Sequence, residues 1–108
     1  MGDCKVEVEP GVCKMHTVIV AKPTEDMMGV TFEVQSDCAH VQNYADQLGT
    51  INPYEVLNTP FGETPFVKNA SGVIPHAACP CVCAFIKAME VASGMGLKRD
   101  VHFTITDA

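Results

Sequence analysis

Residues 80–95 read as a helix with almost no polar side. Val82, Phe85, Ile86 and Met89 form one apolar stripe at helical spacing, and Ala84, Ala88 and Val91 make the opposite side apolar too. A narrow polar edge remains near Cys83, Lys87 and Glu90, and Gly94 and Gly96 end the run. Such a helix must be covered over most of its circumference, by the rest of the chain or by a partner. A chain of 108 residues can supply that cover from one modest core, so a single domain spanning 1–108 is expected.

The covering layer is legible upstream. Residues 4–9 (Cys-Lys-Val-Glu-Val-Glu) alternate apolar and polar, which predicts a strand with Cys4, Val6 and Val8 inward. Pro10-Gly11 marks a turn, and residues 15–21 form a second, more uniformly apolar strand. Pro23 and its charged neighbours make a loop, and residues 29–35 alternate again with Val30, Phe32 and Val34 inward. Ser36-Asp37 then offers N-cap chemistry to a helix carrying Val41, Tyr44, Ala45 and Leu48, with Gly49 as its C-cap. Asn52-Pro53 opens a short helix to Leu57, and Thr64-Pro65 opens another to Ala70, each with proline at the first helical position. Residues 100–106 alternate once more and predict a last strand with Val101, Phe103 and Ile105 inward. The order β-β-β-α-α-α-α-β implies an α+β two-layer sandwich, an antiparallel sheet with helices on one face.

The chemistry gathers just before the apolar helix. His76, Cys79, Cys81 and Cys83 fall within eight residues. With Pro80 at the first helical position, Cys79 is the N-cap and Cys81 and Cys83 lie in the first turn. A helix N-terminus presents unpaired N–H groups and partial positive charge, which favour thiolate over thiol. On helical geometry Cys79 and Cys83 stand one turn apart and Cys81 points away, so a subset of the three is expected to bind. If the first three strands run up, down and up, Cys13 in the first turn and Cys38 after the third strand share the upper end. A final strand running up would place the start of the last helix there too, gathering Cys13, Cys38, Cys79, Cys81 and Cys83, with His76 as a candidate further ligand. Cys4 lies at the lower end, in the core.

Composition narrows the chemistry. Net charge is −6 with no Lys/Arg cluster, which excludes nucleic acid and anionic membrane as partners. No apolar run approaches the roughly 20 residues that span a bilayer. Residues 1–5 lack a signal-peptide pattern, so the expected compartment is the cytoplasm, where thiols stay reduced. Six cysteines there suggest metal or redox chemistry before a disulfide framework. The Cys-x-Cys-x-Cys spacing differs from the paired C-x-x-C of zinc ribbons. No phosphate loop or nucleophile elbow supports ordinary enzyme chemistry.

The segments SDCAHVQNYADQLGTINPYEVL and CPCVCAFIKAMEVA resemble the NifU/IscU-like scaffold family of iron–sulfur cluster assembly. The resemblance covers roughly residues 10–95. It assigns Cys13 to the family's first cysteine position, Cys38 to the second and one of Cys79, Cys81 or Cys83 to the third. Lys14-Met15 stands where that family has an aspartate, His76 precedes Cys79 by three residues rather than one, and the final strand is extra. The chain also resembles a small cysteine-rich family of anaerobic archaea and bacteria that has no established activity. The first functional expectation is thus a metal-binding protein holding an iron–sulfur cluster or zinc, acting as scaffold or carrier with cluster donor and acceptor proteins as partners. The others are a thiol redox or sulfur-handling protein, and an interaction domain that forms a homodimer through the 80–95 helix.

Overall fold

A computed structural model describes residues 2–108. The described residues form an antiparallel sheet of β1 (Cys4–Val8), β2 (Thr17–Pro23) and β3 (Val30–Ser36), in that spatial order. Four helices follow: α1 (Ala39–Leu48), α2 (Pro53–Leu57), α3 (Pro65–Ala70) and α4 (Cys81–Ala92), with one 3₁₀ turn at Phe61–Glu63. The α+β architecture expected from the patterning is the one observed.

The register explains why the sheet is one-sided. Cys4 pairs with Ala21, Val6 with Ile19 and Val8 with Thr17, while Ala21 pairs with Phe32 and Ile19 with Val34. Strand side chains alternate faces, so these residues share the face that meets the helices. The other face carries Lys5, Glu7, Glu33 and Gln35, with surface ion pairs Lys5–Glu7 at 3.3 Å and Lys22–Glu33 at 3.0 Å. α4 packs across β1 and β2, and α1 packs on β3.

The starts of the two short helices follow from local chemistry, whereas α1 begins after Cys38 with no side-chain cap from the expected Ser36-Asp37. The Asn52 side chain accepts hydrogen bonds from the N–H groups of Tyr54 and Glu55, and the Thr64 hydroxyl accepts one from Val67, each with proline at the next position. α4 ends in a glycine-dependent turn. The Gly94 N–H donates to Val91 O and the Met95 N–H to Glu90 O, with Gly94 at φ 84°. This is the paired closure that glycine allows after a helix.

Four elements meet in an aromatic cluster. Phe85 of α4 stacks edge-on against Phe32 of β3 at 5.3 Å and against Tyr44 of α1 at 5.2 Å, and Phe66 of α3 lies 6.2 Å from Phe32. The Tyr44 hydroxyl donates to Phe66 O at 2.8 Å, which satisfies its polar end inside the core.

Two further expectations are corrected. The buried line of α4 is Cys81, Phe85, Ala88, Met89 and Ala92, so Val82 and Ile86 sit at the margin of its apolar stripe. The second correction is larger, because residues 100–106 form no strand. Residues 97–108 are exposed throughout and carry no regular structure. Val101, Phe103 and Ile105 were expected inward and are 50%, 82% and 93% exposed. Alternation gives a segment two faces but does not supply a neighbouring strand. One edge of the sheet is also already taken. Gln42 of α1 accepts from the Ser36 N–H and donates to Val34 O, and Ile51 exchanges main-chain bonds with Val30, so β3 has little free edge.

Replacing Phe85 by Ala should lower stability by about 3–5 kcal/mol, the range for emptying a fully packed aromatic site. Urea unfolding followed by circular dichroism measures it. A loss below about 1 kcal/mol would show that the cluster does not hold the helices to the sheet.

Candidate functional site

The upper end of the sheet, where β1 ends and β2 begins, collects most of the chain's reactive chemistry. Cys81, the first residue of α4, points inward and is 2% exposed. Its Sγ donates to the Thr17 hydroxyl at 3.7 Å. Thr17 Oγ1 shares a 2.7 Å hydrogen bond with Ser36 Oγ, and Ser36 Oγ accepts from the Cys38 N–H at 3.1 Å. A line of hydrogen bonds therefore runs from the start of α4, over β2 and β3, to the residue that caps α1. Thr17 is 1% exposed, so this polar line is part of the core.

Cys79 joins the same place. It lies half-buried in the turn before α4, where its N–H donates to His76 O at 3.2 Å. Burial raises the Tyr44 phenol above its ordinary value and the neighbouring Cys79 adds to the rise, which puts Cys79 beside α1. Burial likewise pushes the Cys81 thiol from 9.0 up to about 12. The Thr17 hydroxyl opposes that shift, while Cys79 and then Cys38 reinforce it.

The structure thus places Cys38 and Cys79 within electrostatic reach of Cys81 at this end of the sheet. Cys13 is at the same end of the sheet, in the Gly11–Lys14 turn between β1 and β2, but it is exposed. Cys83 is exposed on the outer side of α4, as is Lys87 one turn on. The His76 side chain is exposed in its turn. Cys4 is buried at the opposite end, paired with Ala21, where the pattern placed it.

Three expectations are overturned. The helix begins one residue later than proline placement suggested: Pro80 is the cap and Cys79 precedes it. Helical spacing therefore does not relate Cys79 to Cys83, and Cys81 is the inward member while Cys83 faces out. The helix start does not yield a thiolate at Cys81, because removal from water outweighs the local dipole. Finally, the argument that a last strand sets the direction of α4 fails with the strand. The start of α4 is nevertheless at the upper end, where Cys81 meets Thr17. Thr17 was missed altogether, and Ser36 was read only as N-cap chemistry, not as the partner of Thr17. Thr17 had a usable signal, a lone polar residue in line with the inward Ile19 and Ala21.

Among the described residues, no group of three or more His, Cys, Asp or Glu side chains is set to hold a metal ion. The thiol donors suit a soft metal, but their present arrangement does not enclose one. An open cleft of about 330 Å³ lies nearby, lined by His40 and Asn43 of α1 and by Ser71–Pro75. A larger one of about 500 Å³, lined by Glu25, Asp26 and Glu55 among others, borders the β2–β3 turn at the lower end and includes no cysteine.

A protein-family profile matches residues 4–105. The chain belongs to DUF6951, a family of unknown function. The family match takes in the whole sheet, all six cysteines and most of the exposed C-terminal segment. No curated protein and no solved structure matches the chain. Among the described residues, no helix is long and apolar enough to cross a membrane.

Exposure predicts the order of alkylation. Iodoacetamide in native buffer should modify Cys13 and Cys83 first and Cys81 and Cys4 last, as read by peptide mass spectrometry. Early modification of Cys81 would contradict its placement. The raised Cys81 pKa also fixes a pH dependence. The folded state keeps this proton up to about 12, whereas the unfolded chain releases it near 9.0. The contribution to stability is therefore complete below pH 9 and is lost as pH rises toward 12. Urea midpoints over that window should fall more steeply for the wild type than for Cys81→Ala.

Proposed function

We propose that this chain is a soft-metal thiolate protein, with an iron–sulfur cluster as the favoured cargo and zinc as the alternative. The observation that carries the reading is that Cys38 and Cys79 lie within electrostatic reach of Cys81, at two helix starts at one end of the sheet. Cys13, on the turn at that end, is the next donor within the same region, and Cys83 and His76 are outlying candidates. Thiolates are the preferred ligands for iron–sulfur clusters, zinc and Cu(I).

Ligation here is coupled to proton release. Cys81 is a thiol at neutral pH, so it must lose its proton to coordinate, and the metal's charge drives that loss. Cys38 and Cys79 are half-buried, so both stay within reach of solvent beside Thr17 and Ser36. The half-open arrangement and the exposed Cys13 suit a carrier that takes up and hands on its cargo better than a closed structural site. The resemblance to NifU/IscU-like scaffolds supports the same reading. It assigns ligand positions to Cys13 and Cys38, in the β1–β2 turn and at the start of α1, and a third to the cysteines at the start of α4. Cluster donor and acceptor proteins are the corresponding partners.

Thiol–disulfide chemistry is the second reading, favoured by the nearness of Cys79 to Cys81. The Cys81 pKa of about 12 weighs against it, because a buried thiol is a poor nucleophile and a poor leaving group.

Anaerobic purification with iron, zinc and sulfide analysis tests the proposal. A brown protein whose colour and metal are lost in Cys38→Ser and in Cys81→Ser, with the fold retained by circular dichroism, is the expected result. A protein that is metal-free as purified and takes up neither Zn²⁺ nor an iron–sulfur cluster on reconstitution would overturn it.

A further inference from the structure

The two edges of the sheet are treated differently. The β3 edge is occupied: Gln42 bonds Val34 and Ser36, and Ile51 pairs with Val30. The β1 edge is open, since among the described residues Cys4–Val8 make no main-chain hydrogen bonds beyond those with β2. An open edge is a template for another strand.

The same chain carries a strand without a sheet. Residues 100–106 (Asp-Val-His-Phe-Thr-Ile-Thr) alternate, and their apolar side is in water at Val101, Phe103 and Ile105. Isolated apolar residues on a surface are ordinary, but three in register on one extended segment make a face. β-Branched and aromatic residues at alternate positions are those that a pleated, half-buried strand accepts.

We propose that residues 100–106 of one copy pair with the β1 edge of a second copy, so that two chains associate by reciprocal strand addition. The closed turn at Glu90–Gly96 fixes the exit of the chain from α4, and the segment beyond it stands clear of its own sheet. Its own β1 would meet it in parallel. α4 ends beside the start of β1, as the Gly2 N–H to Ala92 O bond shows, so a returning segment would run the same way as β1. A second copy allows the antiparallel arrangement, which is slightly more stable per residue. Charge also fits. The segment is preceded by Lys98-Arg99, the only adjacent pair of cations in the chain, and antiparallel pairing would bring that pair to the Val8 end of β1, where Glu9 follows. Exchange of identical segments makes a closed two-fold dimer in which the β1 edge of each copy is covered. Val101, Phe103 and Ile105 would then extend the inner face of the partner's sheet.

Sedimentation of the full chain across a concentration series tests this, together with amide hydrogen exchange. The expected result is a dimer in which residues 4–8 and 101–105 gain protection together as concentration rises. Phe103→Asp combined with Ile105→Asp should convert it to a monomer, and a chain truncated after Arg99 should behave likewise. These positions are exposed, so the variants keep the fold. A dimer that survives both changes would overturn the proposal, as would a monomer with unprotected 101–105 amides at every concentration. So would protection of 101–105 that is independent of concentration, which would mean pairing within one chain.

Discussion

The fold depends on Phe85 being surrounded. Its ring is fully buried, meets Phe32 and Tyr44 edge-on, and ties the last helix to the third strand and the first helix at one point. Edge-to-face pairs contribute about 0.5–1.5 kcal/mol each beyond the area they bury. The larger contribution is burial itself, about 1.5–3 kcal/mol for such a side chain. With Phe85 fixed, the inward side of α4 is fixed too, because residues four apart share a face. Cys81 is four residues before Phe85. Its burial against Thr17 is therefore a consequence of core packing and needs no separate device.

That packing decides the chemistry of the cysteine cluster. A helix N-terminus favours a negative group by about 0.3–1 kcal/mol, which amounts to less than one pKa unit. Removal from water acts in the opposite sense and is stronger, moving the Cys81 thiol from 9.0 to about 12. The outcome is a neutral thiol hydrogen-bonded to a buried hydroxyl, with Cys79 and Cys38 near enough to discourage a further negative charge. A soft cation bound there would supply the positive charge that buried thiolates lack, and Cys81 would ligate it as the deprotonated thiolate. The burial that keeps the Cys81 proton in place is thus the term that a bound soft cation would have to offset.

Strand positions were legible because the sheet is one-sided. Alternation in residues 4–9 and 29–35 reports which face is wet, and the observed register keeps those faces. The short helices were legible because Asn52-Pro53 and Thr64-Pro65 combine a capping side chain with a proline that fits only the first turn. The site was legible in part. Cysteines at turns and helix starts marked the upper end, but the choice between Cys81 and Cys83 turned on a one-residue shift of the helix start. Sequence spacing does not resolve such a shift. Thr17 and Ser36 were hidden because their role is a hydrogen bond between residues 19 positions apart. The 100–106 segment was misread for a different reason. Its pattern states a preference for strand geometry but names neither the partner strand nor its direction.

The cysteine cluster and that segment lie at opposite ends of the molecule. α4 begins above Thr17 and ends beside Gly2, so the cysteines gather where α4 starts and the C-terminal segment leaves where it stops. A strand added along β1 would run down the side of the sheet and leave Cys13 and the half-buried Cys38 and Cys79 facing solvent. Helix α4 would not have to supply the contact, since Cys83 and Lys87 are its only exposed residues. Metal ligation and self-association would therefore use different surfaces. A dimer built this way would present two separate thiol clusters, each assembled within one chain.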